Sequence, residues 1–428
     1  MSLFLGIDIG TSGVRTAVID GFGTELASAS VRMPAPMKID GRPCQEAEIW
    51  WESVAACLHA QRKSLLEAGR QFDDIEAVSV DGTSGTLLLC DDELNPLTLG
   101  YLYNSANFDL EAQLIASKAP EESMACGAGF TLARLLFLQK KVESGSASYA
   151  LHQADWIAAK LMMRGGLSDE TNVLKMGYDL QQRCWPEWFG SCDVDVGLLP
   201  EVKPVGELYG FLDKAIVALF GFSSEVKVIA GTTDSNAAFL ASGACHVGEG
   251  VTSLGTTLAI KLLSDSPVSD PSRGVYSHRI KDMWLPGGAS NSGGGVLLDF
   301  FSVEQMDEME SRLKPDCPTG FDYYPLSKAG ERFPIADAYL PPRLDPRPES
   351  QLEFFQAMLE GISEIERTAY MTLRELGAPE LKRVFTAGGG AHNRAWTEIR
   401  ASKLGVPVSD AQSNDASVGV ARIAAGLI

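Results

Sequence analysis

Two stretches far apart in the chain share one pattern of apolar and small polar positions. In the first, Leu5-Gly6-Ile7-Asp8-Ile9 leads into Gly10-Thr11-Ser12-Gly13, and Val14-Arg15-Thr16-Ala17-Val18-Ile19 follows. In the second, Val251-Thr252-Ser253-Leu254 leads into Gly255-Thr256-Thr257, and Leu258-Ala259-Ile260-Lys261-Leu262-Leu263 follows. Each predicts a strand, a tight turn and a returning strand. A Gly-Thr hairpin exposes backbone N–H groups and a hydroxyl with little bulk, which suits an oligophosphate. One such hairpin is commonplace. Two, one opening each half, imply a duplicated nucleotide-binding fold.

The rest of the pattern alternates helix and strand. Glu46 to Gly69 reads as a helix with Ile49, Val54, Leu58, Leu65 and Leu66 near one face. Ile75–Val80 reads as a strand running into Asp81-Gly82-Thr83-Ser84-Gly85, with the apolar run Thr86–Cys90 returning. Ala125 to Gln139 and Gln153 to Met163 read as helices. The strand Val226–Ala230 ends at Gly231-Thr232-Thr233-Asp234, and the helix Ser235 to Ser242 follows. Lys314 to Pro348, rich in Pro, Tyr, Phe and Asp, reads as irregular but ordered structure. Leu352 to Leu376 is a long helix, Leu381–Ala387 a strand stopping at Gly388-Gly389-Gly390, and Ala416 to Leu427 a final helix. This alternation predicts α/β domains.

Composition narrows the function. With 428 residues, 45% of them hydrophobic, the chain can fill two full cores. A net charge of −20 repels nucleic acid and anionic lipid, so neither is an expected partner. The eight cysteines are scattered with no C-x-x-C pair, as in a reduced, cytoplasmic protein. The N-terminus shows no signal-peptide pattern, and no apolar run reaches the roughly 18 residues that a membrane span needs.

Three places carry candidate chemistry. Asp8 sits inside an apolar strand, where a carboxylate is costly unless paired or metal-bound; a turn-capping Asp is the alternative. Asp234 follows a strand and opens a helix, so it is either an N-cap or a carboxylate projecting from the strand end. Gly388-Gly389-Gly390 lies between a strand and a helix. It is either a plain loop or a place where backbone must approach a ligand closely.

Taken in order, Asp8-Ile9-Gly10-Thr11-Ser12, Gly231-Thr232-Thr233-Asp234, Ser253-Leu254-Gly255-Thr256-Thr257 and Ala387-Gly388-Gly389-Gly390-Ala391-His392-Asn393 resemble the FGGY carbohydrate kinases of the actin-like ATPase superfamily. The resemblance runs nearly end to end. It implies an α/β fold of two actin-like (ribonuclease H-like) domains flanking a cleft. Residues 1–242 would bind sugar and 243–428 nucleotide, the last helix packing back on the first domain. It implies Asp234 as general base, Asp8 and Ser84 as sugar contacts, and Asp8 as the holder of Mg²⁺ through water. Thr11, Ser12, Gly13, Gly255, Thr256, Gly389, Gly390 and Asn393 are the implied ATP contacts, with Thr257 beside them. Asp81 and His278 are further candidates; a buried structural role is the alternative for His278. Arg15 is as readily a surface residue as a phosphate contact, and Trp50, Trp51 and Trp156 read as packing aromatics.

Within that family, Asp81-Gly82-Thr83-Ser84-Gly85 with Cys90-Asp91, Gln153-Ala154-Asp155-Trp156, Ser277-His278, Gly287-Gly288-Ala289-Ser290-Asn291 and Glu331-Arg332-Phe333-Pro334-Ile335-Ala336-Asp337 resemble the short D-ribulose kinases of cyanobacteria and plants. Ordinary xylulose kinases carry a Gln-x-His type of motif in place of Thr83-Ser84. The expected reaction is therefore D-ribulose + ATP → D-ribulose 5-phosphate + ADP, in a monomer or homodimer. The rivals are a kinase of D-xylulose, L-ribulose, glycerol or gluconate, an actin- or chaperone-like ATPase, and a non-catalytic sugar sensor.

Overall fold

The computed structural model describes residues 2–120, 123 and 125–428. The chain forms two compact units: 1–241 with 279–281 and 415–428, and 242–278 with 282–414.

The first unit is built on a six-stranded sheet in which Leu3–Ile9 is central. Leu3–Ile9 pairs antiparallel with Gly13–Asp20, which pairs antiparallel with Glu25–Arg32. On its other side it runs parallel to Ile75–Gly82, and that strand runs parallel to Lys227–Thr233. Leu3, Leu5, Ile7 and Ile9 are fully buried. Alternate positions Gly6 and Asp8 are buried too, so this strand has cover on both faces, as central parallel strands do.

One face is covered by the helix Ala47–Glu67, which buries Trp50, Val54, Leu58 and Leu65. Leu66 is 64% exposed: one residue on from Leu65, it has turned off the apolar stripe. The other face is covered by the C-terminal helix Ala416–Ala424. That approach is close. A Cβ on Gly6 would lie 1.9 Å from the Ser417 carbonyl oxygen, so only hydrogen fits there.

The second unit repeats the scheme. Glu249–Leu254 pairs antiparallel with Leu258–Leu262, which pairs antiparallel with Met283–Ser290. Glu249–Leu254 runs parallel to Arg383–Ala387, and that strand parallel to Val408–Asp410. Both units thus share one strand order, three antiparallel strands followed by two parallel crossovers. The long helix Gln351–Glu375 takes the place that Ala47–Glu67 has in the first unit.

Two expectations change in detail. The helix expected over 125–139 spans only Thr131–Gln139, because Gly127 and Gly129 hold the preceding residues in a loop. The 314–348 stretch holds only isolated bridges, Tyr324 with Arg343 and Glu331 with Asp337, yet it buries Tyr323 and Phe333. It is irregular and ordered, as its aromatic content implied.

Candidate active site

In the first unit the C-terminal ends of three adjacent parallel strands converge. Asp8 is the penultimate residue of Leu3–Ile9 and is in register with Asp81 on Ile75–Gly82. Asp81 is in register with Thr232, and Thr233 leads directly into Asp234, the first residue of the helix Asp234–Ala241. Ligands of α/β sheets bind at such strand ends, where loops and helix N-termini take over from the ladder.

Asp8 is 3% and Asp81 0% exposed. Burial pushes the Asp8 carboxyl up to about 6; the Asp81 hydrogen bond and Arg15 oppose this, while the charges of Asp234 and Asp415 add to it. Burial, and then the neighbouring Asp8 and Asp234, drive Asp81 well above the usual carboxylate range. Both shifts favour the protonated form, most strongly at the fully buried Asp81. Asp415 belongs to the same group as the N-cap of the C-terminal helix, accepting from Ser417 N at 3.0 Å and Ser417 Oγ at 2.9 Å.

Around these carboxyls lie two loops. Gly10 N–H donates to Gly13 O at 3.0 Å and closes the first hairpin. Its tip presents Ser12 exposed, with Thr11 and Gly13 half-buried. Arg15, directly across the ladder from Asp8, reaches Asp8 Oδ2 with Nη1 at 3.2 Å. In the second loop Thr83 is immobilised. Its amide and hydroxyl donate to Gln153 Oε1 at 3.2 and 2.8 Å, and its hydroxyl accepts from Thr86 Oγ1 at 2.5 Å. The half-buried Ser84 hydroxyl is outside that bonding chain.

In the second unit, Gly255, Thr256 and Thr257 form an exposed hairpin tip. It is backed by Gly294 N–H on Gly255 O at 2.9 Å and Gly295 N–H on Thr256 O at 3.1 Å. Gly388 follows the adjacent parallel strand at φ 87°; a Cβ there would lie 2.7 Å from Leu254 O. Left-handed backbone packed on backbone is a position for glycine alone. Beside these loops lies a cavity of about 450 Å³ lined by Gly255, Thr256, Gly389, Gly390 and Asn393, with Leu297, Leu298, Val303, Met306 and Leu359 as its apolar wall. The size, the apolar wall and the glycine rim suit a nucleoside. Asn393 caps the helix Arg394–Leu404, its Oδ1 accepting from Trp396 N at 2.7 Å, and its amide NH₂ remains for a ligand.

The FGGY carbohydrate kinase N-terminal domain model matches residues 3–241, and the C-terminal domain model matches residues 250–427. The chain belongs to the FGGY family of carbohydrate kinases. The xylulose kinase of Lactococcus lactis is 23% identical over 94% of this chain and 83% of its own length. Among solved structures, the xylulose kinase of Rhodospirillum rubrum superposes with a TM-score of 0.84 at 20% identity, covering 99% of this chain and 89% of that one. The Plasmodium falciparum glycerol kinase solved with ADP gives 0.85 at 15% identity, over 100% and 89%. At such identities the superpositions speak for the fold. This FGGY kinase is accordingly a phosphotransferase acting on a carbohydrate, and kinases of this family use ATP.

The expected site residues of this FGGY kinase fall into two groups. Asp8, Thr11, Ser12, Gly13, Ser84 and Asp234 lie in the first unit; Gly255, Thr256, Gly389, Gly390 and Asn393 line one cavity of the second. His278 is 3% exposed, its ring edge-on to Tyr276 at 5.3 Å. Trp50 and Trp156 are fully buried against each other at 6.2 Å. Among the described residues no three His, Cys, Asp or Glu side chains gather as a metal cage. Magnesium takes few carboxylates and keeps its waters, so a few carboxyls gathered at strand ends fit it where a closed cage would not. Sequence reasoning passed over Asp415, the Arg15–Asp8 pair and the tie between Gln153 and Thr83. Of these only the Arg15–Asp8 pair was within reach, since Arg15 lies opposite Asp8 in any Gly10–Gly13 hairpin.

Proposed function

We propose that this kinase transfers the γ-phosphoryl group of ATP to a ketopentose. The observation that carries this is Asp8 and Asp234 at the ends of the two strands that flank Ile75–Gly82, the strand that leads into the polar Thr83–Gly85 loop. That is the furniture of hydroxyl recognition rather than of bare ATP hydrolysis.

In this reading Asp234 takes the proton of the attacking sugar hydroxyl as its oxygen forms the bond to phosphorus and the bond to ADP breaks. Its place at a helix start holds it on rigid backbone. Asp8 would hold Mg²⁺ through water. That ion, when bound, offsets charge on the phosphates. Asp81, protonated, orients Asp8 and keeps the pair from carrying two charges. Thr11, Ser12 and Gly13 offer a hydroxyl-rich, low-bulk tip to the transferring phosphate, and Gly255 and Thr256 the same to the rest of the chain of phosphates. Gly389, Gly390 and Asn393 take the nucleoside.

The acceptor has two readings. The names of the relatives favour D-xylulose. The small Thr83-Ser84 pair, with Thr83 already committed to Gln153, is the observation for D-ribulose, and it is the weaker support of the two. Eight unpaired cysteines support a reducing, cytoplasmic setting. A coupled ADP-release assay across D-ribulose, D-xylulose, L-ribulose, glycerol and gluconate, with a no-sugar control, tests the proposal. ADP release that ignores every sugar would leave only an ATPase.

A further inference from the structure

Two arginines, Arg134 and Arg400, are fully buried, and they are solved differently. Arg400 meets Glu366 in a bidentate pair at 2.7 and 2.8 Å. Arg134 has no carboxylate partner among the described residues. Burial draws its pKa down to about 9, so it stays charged at neutral pH. Its two Nη groups go to backbone carbonyls: Nη1 donates to Gly85 O, and Nη2 to Ser105 O at 2.9 Å, with Gly129 O at 3.3 Å and Tyr103 O at 3.4 Å at longer range. The ring of Phe108 lies 5.6 Å from its central carbon.

Burying a cation without a counterion is expensive. A planar fork with five donors justifies that cost where several carbonyls from different loops must be held at fixed angles. Here the loops are the Thr83–Thr86 turn, the 103–105 segment and the segment ending at Phe130. Tyr103 is caught at both ends, because its N–H donates to Thr86 Oγ1 at 3.1 Å. From there the hydroxyls run in one direction, Thr86 to Thr83 and Thr83 to Gln153 Oε1. Ser84 therefore sits between two anchors, Thr83 tied to Gln153 and Gly85 tied to Arg134.

We propose that Arg134 is a positioning residue for sugar selection, fixing the turn that presents the Ser84 hydroxyl. This rests on the reading of that turn as a sugar-binding loop. A structural arginine would affect both substrates alike; a positioning arginine affects the sugar alone.

The test compares Arg134→Met and Arg134→Lys with wild type, using the acceptor that wild type uses best. In Arg134→Met the KM for the sugar should rise at least about ten-fold, since small misplacements of a binding group are costly. The KM for ATP and the sugar-independent ADP release should stay at wild-type values. Arg134→Lys keeps the charge but cannot span the four carbonyls, so its sugar KM should fall between the two. Amide hydrogen exchange at 83–86 should quicken in Arg134→Lys, with residues 254–396 unchanged. If Arg134→Met does not fold, Arg134→Lys decides. An unchanged sugar KM in a folded variant, or equal losses for sugar and ATP, overturns the proposal. If wild type accepts no sugar, the functional reading fails separately, and exchange at 83–86 alone judges the anchoring.

Discussion

Asp8 and Asp81 occupy the same register on neighbouring parallel strands, and together they put two carboxyl groups where the sheet has room for one negative charge. The consequence is measurable in stability. The folded Asp8 carboxyl titrates near 6, above its ordinary value of 3.8. A raised carboxyl pKa favours the fold while the group is protonated, and that advantage is lost as pH climbs through the folded value. Asp8→Asn removes the charge and keeps the shape. Measured in EDTA, the variant should gain stability over wild type between about pH 4 and pH 7, levelling at up to about 3 kcal/mol, by the usual 1.36 kcal/mol per pK unit. A stability difference that does not vary with pH would remove the charge argument.

Asp234→Asn tests the base. Asparagine can still sit at the head of the helix Asp234–Ala241, but it cannot take a proton. Turnover should fall by roughly 10²–10⁴. Nucleotide affinity, measured by titration calorimetry with ADP, should hold, because the cavity proposed for the nucleotide is lined only by residues of the other unit. Near-normal turnover would take Asp234 out of the mechanism.

How much of this was legible in the chain depends on what each residue's role requires. The duplicated strand order was readable because each unit opens with a Gly-Thr hairpin flanked by apolar runs, a local pattern. That Gly255, Gly389 and Gly390 come together at one cavity was readable because glycines at strand ends have few other uses; Thr256 and Asn393 follow as their chain neighbours. Asp415 and Arg134 were not read, because their roles come from long-range placement. Asp415 reaches the first unit only when the C-terminal helix packs on Leu3–Ile9. Arg134 looks like any polar break in Thr131–Gln139, and only its depth and its carbonyl partners mark it. The choice between ketopentoses was not legible either, since a few hydrogen-bond angles decide it.

Gly389→Val probes the nucleotide side. A Cβ at Gly389 meets nothing within 4 Å, so the fold tolerates a side chain there. Gly389 also lines the cavity, so the added bulk projects toward the space a nucleoside would take. The KM for ATP should rise well above any change in the KM for sugar, in a variant melting at the wild-type temperature. A shift confined to the sugar KM would put this loop on the acceptor side.

Gly6→Ala tests the seat of the C-terminal helix. Its methyl would fall 1.9 Å from a carbonyl oxygen, a backbone clash that no rotamer relieves. The strand or the helix must shift, at a cost on the order of 3 kcal/mol. Chemical denaturation should show that loss. Because the same shift carries Asp415 away from Asp8, activity per folded molecule should fall as well. Wild-type stability in this variant would mean that the helix is not held against the strand as described.

Ser84→Ala bears on the acceptor. Thr83 is buried and bonded to Gln153, so within the turn Ser84 supplies the hydroxyl that a sugar can meet. A site that bonds one particular hydroxyl discriminates against an isomer that misplaces it, because its own polar group is then left without a partner. D-Ribulose and D-xylulose differ only at C3. If Ser84 reads that centre, wild type should prefer one of them clearly in kcat/KM, and Ser84→Ala should narrow the ratio by about ten-fold, roughly the value of one neutral hydrogen bond. Parallel kinetics on both sugars give the answer. A preference for D-xylulose would agree with the names of the relatives and end the D-ribulose reading; a ratio unmoved by Ser84→Ala would place stereochemical recognition elsewhere in the first unit.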